Sequence, residues 1–471
     1  MINKSPLLLF LFAPLAAYSC RSASSSLTDI EQNEPVTTHE QRVEEAASVF
    51  KKAMIQCPGR VWPDYHWNDV TVFFTDRDKR KAYRWNAVSG VNEIDYDSVK
   101  PDYTASAYAY SRPGQKKELA LSLADDSDRD EPMSETRVSS LVQLAIHEGF
   151  HAFGQPSFTL RDNNPGVARK VHYPADYMPR YLRYALAMKL LEYVQNRSDV
   201  ALAQARDLFE QYQEDFAEES SRIAVVDILE GSAQYVQFMA AAVAMDKCAG
   251  NESQLPAVFK ELLVGTFGDD FNLLNTADAE SYVIGALAGL ALHLEGYSGW
   301  EKRVANGETP QAILLQHIAP MRGEVDTLKL KEAKANAAKK NAKIEVALSQ
   351  FQSLSESGKA LQFAVSEDRV MGAYYLSQTI LDKASGLSYY LGFSANLSVP
   401  NSSAIIALKE LTARQQNESA CGKNALVFYV PKDQVKLMSD KLLNIDLPTV
   451  QVKQVQYHTA VDPTHGKMFC L

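Results

Sequence analysis

The stretch Ser139-Ser-Leu-Val-Gln-Leu-Ala-Ile-His-Glu-Gly-Phe-His-Ala-Phe-Gly-Gln155 decides how the chain is read. It has the pattern of an amphipathic helix. Ser134 stands where a cap belongs, Glu135 suits the positive end of the helix dipole, and Gly154 followed by Pro156 is a stop signal. His147 and His151 stand at i and i+4, so both imidazoles project from one face and can meet one ion. Glu148 lies about a third of the way round the helix from His147, placed to take a proton from a water at that ion without ligating it. Zinc suits such a pair because it accepts imidazole nitrogen and carboxylate oxygen and keeps one position open for water.

A third protein ligand is needed. A histidine six residues after the second would complete one common scheme, and Gly154 fits that scheme, but the position holds Ser157. The other common solution is a glutamate on a later helix. The segment Ile223–Gln237 offers Glu230 amid Val225, Val226, Ile228 and Leu229, where a carboxylate is costly to bury unless paired or metal-bound. Gly231, Ser232 and Ala233 follow it and permit the close helix approach that a shared metal requires. The expected centre is therefore His147, His151 and Glu230 around one zinc per chain, with Glu148 as the base. His172, in a loop of Tyr and Pro, is a competing ligand.

On the motifs His147-Glu-Gly-Phe-His151 and Glu230-Gly-Ser-Ala-Gln-Tyr235, the chain resembles the glutamate-liganded zinc peptidases, the gluzincins, over about residues 60–310. The resemblance implies metal-assisted amide hydrolysis of a peptide or protein substrate. In many such families the fourth residue after the glutamate ligand is an Asp that orients a histidine; here it is Gln234, so that role is unassigned, with Asp227 a neighbour on the same helix. The resemblance also makes Tyr282, His293 and Tyr235 candidates for stabilising an oxyanion, and the hairpin before the active helix a candidate for strand addition to substrate. Two other classes compete: a non-catalytic envelope binding protein that retains the peptidase fold, and a structural lipoprotein, which would leave the HExxH motif without a use.

The rest of the chain sets the context. Met1–Lys4 is positively charged and Leu7–Ala17 is apolar, so residues 1–20 read as an export leader. The leader resembles a bacterial lipoprotein signal, with Cys20 the lipid-carrying first residue and 21–38 a polar, flexible tether. This places the expected protein in the bacterial cell envelope, anchored to a membrane and facing periplasm or cell surface. Of five cysteines, Cys20 aside, four remain, which suits two disulfides in an oxidising compartment. Three pairings are open; Cys421 with Cys470, leaving Cys57 with Cys248, is the most natural. A formal charge of −10 and the lack of a basic stripe argue against a nucleic-acid partner.

The expected fold is α+β: a small N-terminal sheet packed on a mostly helical domain over 39–325, then a smaller C-terminal α/β domain over 344–471. Strand signals fall at Asp69–Thr75 and in a hairpin of Ala105–Tyr110 with Glu118–Leu123 about the turn Arg112–Gln115, before a polar loop at Asp125–Glu131. Helices are expected at Ser134–Phe153, Met178–Asn196, Val200–Glu219, Ile223–Cys248, Pro256–Gly265, Ala277–Glu295 and Pro310–His317. Residues 326–343, rich in Lys and Ala, read as an exposed helix or linker. Beyond them strands are expected at Gly372–Ile380, Leu387–Val399, Ala425–Val430 and Val450–His458, with a helix near Asp433–Leu443.

Overall fold

Strands and helices segregate along the chain, and the architecture is α+β. The computed structural model describes residues 38–471 except 102, 104–107, 112–113, 124–139, 161–168, 269–270, 272, 275–276, 367–370, 376–377, 399–404, 438–441 and 463–465. The expected leader with Cys20, the tether to residue 37, the loop at Asp125–Glu131, and the cap residues Ser134 and Glu135 lie outside the described residues. Two compact units are present: 38–168 with 179–326, and 169–178 with 327–471.

In the first unit, α1 (His39–Phe50) begins at a capping box made by Thr38 and Gln41 and continues through a π turn (Lys51–Gln56) into the short α2 (Pro58–Val61). Five strands follow: β1 (Thr71–Asp76), β2 (Lys81–Asn86), β3 (Gly90–Ile94), β4 (Tyr108–Tyr110) and β5 (Glu118–Ser122). They form one sheet in the order β3-β2-β1-β5-β4, antiparallel except for β1 with β5. The expected hairpin is there as β4 and β5, with Tyr110 opposite Leu119, and β4 is an edge strand. Strands β2 and β3 were not anticipated. Alternation sorts the faces. Phe74 and Trp85 meet Phe50 of α1 on one side, whereas Ala82 and Ala120 pack with Val99 and Tyr103 on the other.

The helices are α3 (Ser140–Phe153), α4 (Met178–Asn196), α5 (Asp199–Asp215), α6 (Ala217–Met245), α7 (Leu255–Phe267), α8 (Ala277–Leu294), α9 (Trp300–Ala305) and α10 (Pro310–Leu315). Helix α6 is central. From Val225 to Ala244 nearly every residue is buried, so it is a core helix with no solvated face. No helix among the described residues is long and apolar enough to cross a membrane. The close approach allowed by Gly231 is to α8: a Cβ on Gly285 would lie 2.2 Å from Gly231 Cα, so both positions exclude any side chain. Cys57 and Cys248 are bonded, stapling the start of α2 to the loop after α6.

The second unit consists of α11 (Thr327–Glu356) and one large sheet. Its strands are β6 (Val171–Tyr173), β7 (Ala360–Val365), β8 (Met371–Tyr375), β9 (Gln378–Asp382), β10 (Ser388–Ser398), β11 (Ile405–Ser419), β12 (Gly422–Pro431), β13 (Lys436–Leu437), β14 (Leu442–Asp446), β15 (Val450–Gln456), β16 (His458–Asp462) and β17 (Gly466–Cys470). The path runs β13-β14-β15-β11-β12-β7-β17-β16, with β10 also pairing with β11, β8 and β9. In β12 consecutive residues serve opposite faces. Leu426, Phe428 and Val430 join the larger core with Phe363 and Phe469, while Val427 and Tyr429 join Phe351 of α11. The Lys/Ala-rich residues are part of α11, which buries only Ala333, Ile344 and Phe351. Cys421 and Cys470 are bonded and tie the last strand to the β11–β12 turn.

Two expectations need correction. The described residues of Asp433–Leu443 form no α-helix: a 3-10 turn at Lys432–Gln434 leads to β13, and in β14 Leu443 and Ile445 point into the core while Asp446 is exposed. That period of two belongs to a strand, and a short apolar run cannot be told from a helix by composition. Residues 169–178 also leave the first unit, because β6 pairs in parallel with β9, Val171 opposite Ile380.

Candidate metal centre

A core helix carrying five buried polar side chains raises the question of where each finds a partner. Asp227, Glu230, Ser232, Gln234 and Gln237 of α6 are all buried. Opposite them, α3 carries Gln143, His147 and His151 at successive i+4 steps, and Gln155 continues the stripe in the 3-10 turn after the helix. The two stripes meet antiparallel. Gln237 Nε2 donates to Gln143 Oε1 at 3.0 Å, the histidines meet Glu230, and Gln155 Nε2 donates to Ser232 Oγ at 3.0 Å and to the Leu229 carbonyl at 2.6 Å. Gln234, on the same helix, is fully buried, and neither amide atom has a hydrogen-bond partner among the described residues.

At the centre, His147 Nε2 and His151 Nε2 each stand 3.2 Å from Glu230 Oε2 and 3.0 Å from one another. Four-coordinate zinc, with ligand bonds of about 2.0–2.1 Å, holds its ligand atoms about 3.3 Å apart, so this small triangle has the right size. The donor set, two imidazole nitrogens and a carboxylate oxygen, is the right chemistry. It could hold a metal ion, and it is not peculiar to one family.

The electrostatics separate the two histidines. Burial pushes the His147 pKa down from its ordinary value, outweighing Glu230, and Gln237 lies close enough to oppose the shift only weakly. Burial acts on His151 in the same direction, but the charge and hydrogen bond of Glu230, with the charge of Glu148, reverse it and push the pKa up to about 9. Glu148 is itself buried. Tyr110, on edge strand β4, is pushed up to about 12 by burial and by the charges of Glu148 and Glu230, so its phenol keeps its proton beside the site.

The walls follow from packing. Gly149 has no alternative, since a Cβ there would lie 2.6 Å from Trp67 Cζ2, and the indole in turn donates to Tyr65 Oη at 2.8 Å. The Gly231–Gly285 contact draws α8 in, and Tyr282 stacks on His147 with ring centroids 5.7 Å apart and 18° between planes. Other candidates are occupied elsewhere. His293 Nε2 is 2.7 Å from Glu252 Oε2, Tyr235 is a core ring against Trp62 and Trp300, and His172 is on β6 in the second unit. Asp227 does not orient a histidine: its carboxylate receives Arg183, Ser281 and Gln311. Gln155, Gln237 and Tyr110 were not anticipated as site residues; for Gln155 the signal was its place in the i+4 stripe.

No family model matches the chain, and no curated protein or solved structure matches it.

Proposed function

We propose that the chain is a zinc-dependent peptide-bond hydrolase in which His147, His151 and Glu230 hold one zinc and Glu148 is the general base. The observation that supports the reading most is the meeting of three ligand atoms, from two different helices, within 3.2 Å of one another. Zinc held there would supply a water of lowered pKa and polarise the substrate carbonyl. Glu148 takes one proton from the attacking water as the new C–O bond forms, and returns it to the amide nitrogen as the C–N bond breaks. Strand β4, which carries Tyr110 and stands last in the sheet order, is suited to pairing with an extended substrate main chain. Elemental analysis of the purified protein should give about one zinc per chain, and Glu230→Ala should remove most of it. Undiminished zinc in that variant would sink the ligand set and reopen His172.

Export to the bacterial cell envelope and lipid attachment at Cys20 belong to the same proposal. The disulfides Cys57–Cys248 and Cys421–Cys470 support an oxidising compartment. Mass spectrometry of the mature N-terminus in a bacterial host is expected to find a lipid-modified Cys20 as the first residue. Any other start, or an unmodified Cys20, refutes the anchor and leaves the chemistry untouched.

A further inference from the structure

We infer that Gln155 is the positioning residue of this centre: it sets which nitrogen of His151 is free to bind metal and holds the Glu230 turn against that ring. The inference deepens the metal reading and rests on it.

Gln155 lies beyond the end of α3, buried, with an amide that has partners on both sides. Its Nε2 donates to the Leu229 carbonyl at 2.6 Å and to Ser232 Oγ at 3.0 Å. Both amide protons are thus committed, and Oε1 is the atom turned toward His151, 2.6 Å from Nδ1. A carbonyl oxygen only accepts, so His151 Nδ1 carries the proton and donates it. In the neutral ring Nε2 then keeps its lone pair, and Nε2 is the atom that faces Glu230 and His147. Reversing the amide would set Oε1 against the Leu229 carbonyl, two acceptors at 2.6 Å, so the orientation is dictated by the backbone of α6.

The same side chain does a second task. Leu229 and Ser232 bracket Glu230, so by binding both, Gln155 fixes where the Glu230 carboxylate enters the site. His147 Nδ1 reaches no partner by distance and angle among the described residues, although Gln237 lies near that ring.

The test compares wild type, Gln155→Met and Ser232→Ala by zinc titration of metal-free protein and by nitrogen-15 NMR of labelled histidine. Loss of a residue that orients a ligand typically weakens metal binding by about 10–100-fold. Gln155→Met, with the length of Gln but no hydrogen bond, is expected to fall in that range and to lose the solvent-protected His151 Nδ1–H signal of the wild type. Ser232→Ala leaves the Oε1 acceptor and is expected to keep the signal and lose less affinity. Unchanged zinc affinity in folded Gln155→Met overturns the inference. So does a metal-free wild type whose neutral His151 carries its proton on Nε2. Should Gln155→Met fail to fold, that wild-type spectrum decides alone. A wild type that binds no zinc sinks the metal reading, while the same spectrum still decides whether Gln155 sets the tautomer.

Discussion

Glu148→Gln is expected to keep the zinc and lose at least ~10²-fold in turnover, the usual minimum for removing a general base. The two side chains share shape and helix propensity, and position 148 neighbours a ligand without being one, so neither α3 nor the His147–His151–Glu230 triangle should move. What the amide lacks is a basic oxygen, both to take the water's proton and to return it to the leaving amine. His147→Ala should abolish activity by a different route, loss of metal, and zinc content separates the two. Cleavage by zinc-loaded Glu148→Gln at the wild-type rate would sink the mechanism. A wild type that cleaves nothing in a broad peptide library would put the non-catalytic binding reading ahead.

Arg183→Met is expected to destabilise the first unit by about 3–5 kcal/mol, the range for removing one partner from a buried ion pair. Arg183 is 1% exposed and joins three helices. Its Nη2 and Nη1 donate to Asp227 at 2.6 and 3.1 Å, and its Nε donates to Glu280 at 2.9 Å. Burial already pushes the Glu280 pKa up to about 7 against the attraction of Arg180 and Arg183, so this carboxylate has little to spare. Without Arg183, the partners Asp227 keeps among the described residues are Ser281 and Gln311, neither of them charged. All four tryptophans, Trp62, Trp67, Trp85 and Trp300, lie in this unit, so urea unfolding followed by their fluorescence reads it alone. Breaking the exposed Arg303–Glu308 pair should cost no more than about 1 kcal/mol. An equally small loss for Arg183→Met would show that the buried charges are balanced by other groups.

The sequence reading reached furthest where one helix carries its own evidence. The i, i+4 spacing of His147 and His151 shows that they share a face, and Glu230 amid Val225–Leu229 signals a carboxylate needing a partner. Their meeting at one point accords with both. What stayed hidden depends on which helix faces which. Gly231 looked like room for the partner bearing the metal ligands, yet the backbone it admits is that of Gly285. Gln155 follows the expected stop at Gly154, so it read as lying past the end of the motif, although its side chain reaches back to His151. Strand β2 mixes Lys81 and Arg84 with Tyr83 and Trp85, and no simple alternation marks it until the neighbouring strands supply a face. Tyr110 lay in an anticipated strand, but only the sheet order puts it beside Glu148.

The pairing of β6 with β9 has a consequence for how the chain is made. Val171 leaves the ribosome long before Ile380, the residue it will lie beside. At bacterial or eukaryotic elongation speeds of roughly 5–20 residues per second, the interval is on the order of ten seconds or more. The helix that bears Glu230 is made between the two strands, whereas α3, with His147 and His151, precedes both. One strand of the later sheet is encoded inside the earlier unit. A clone cut at residue 326 would leave that strand without its sheet and the sheet without that strand, so boundaries for expressing either half should be drawn through space and not along the sequence.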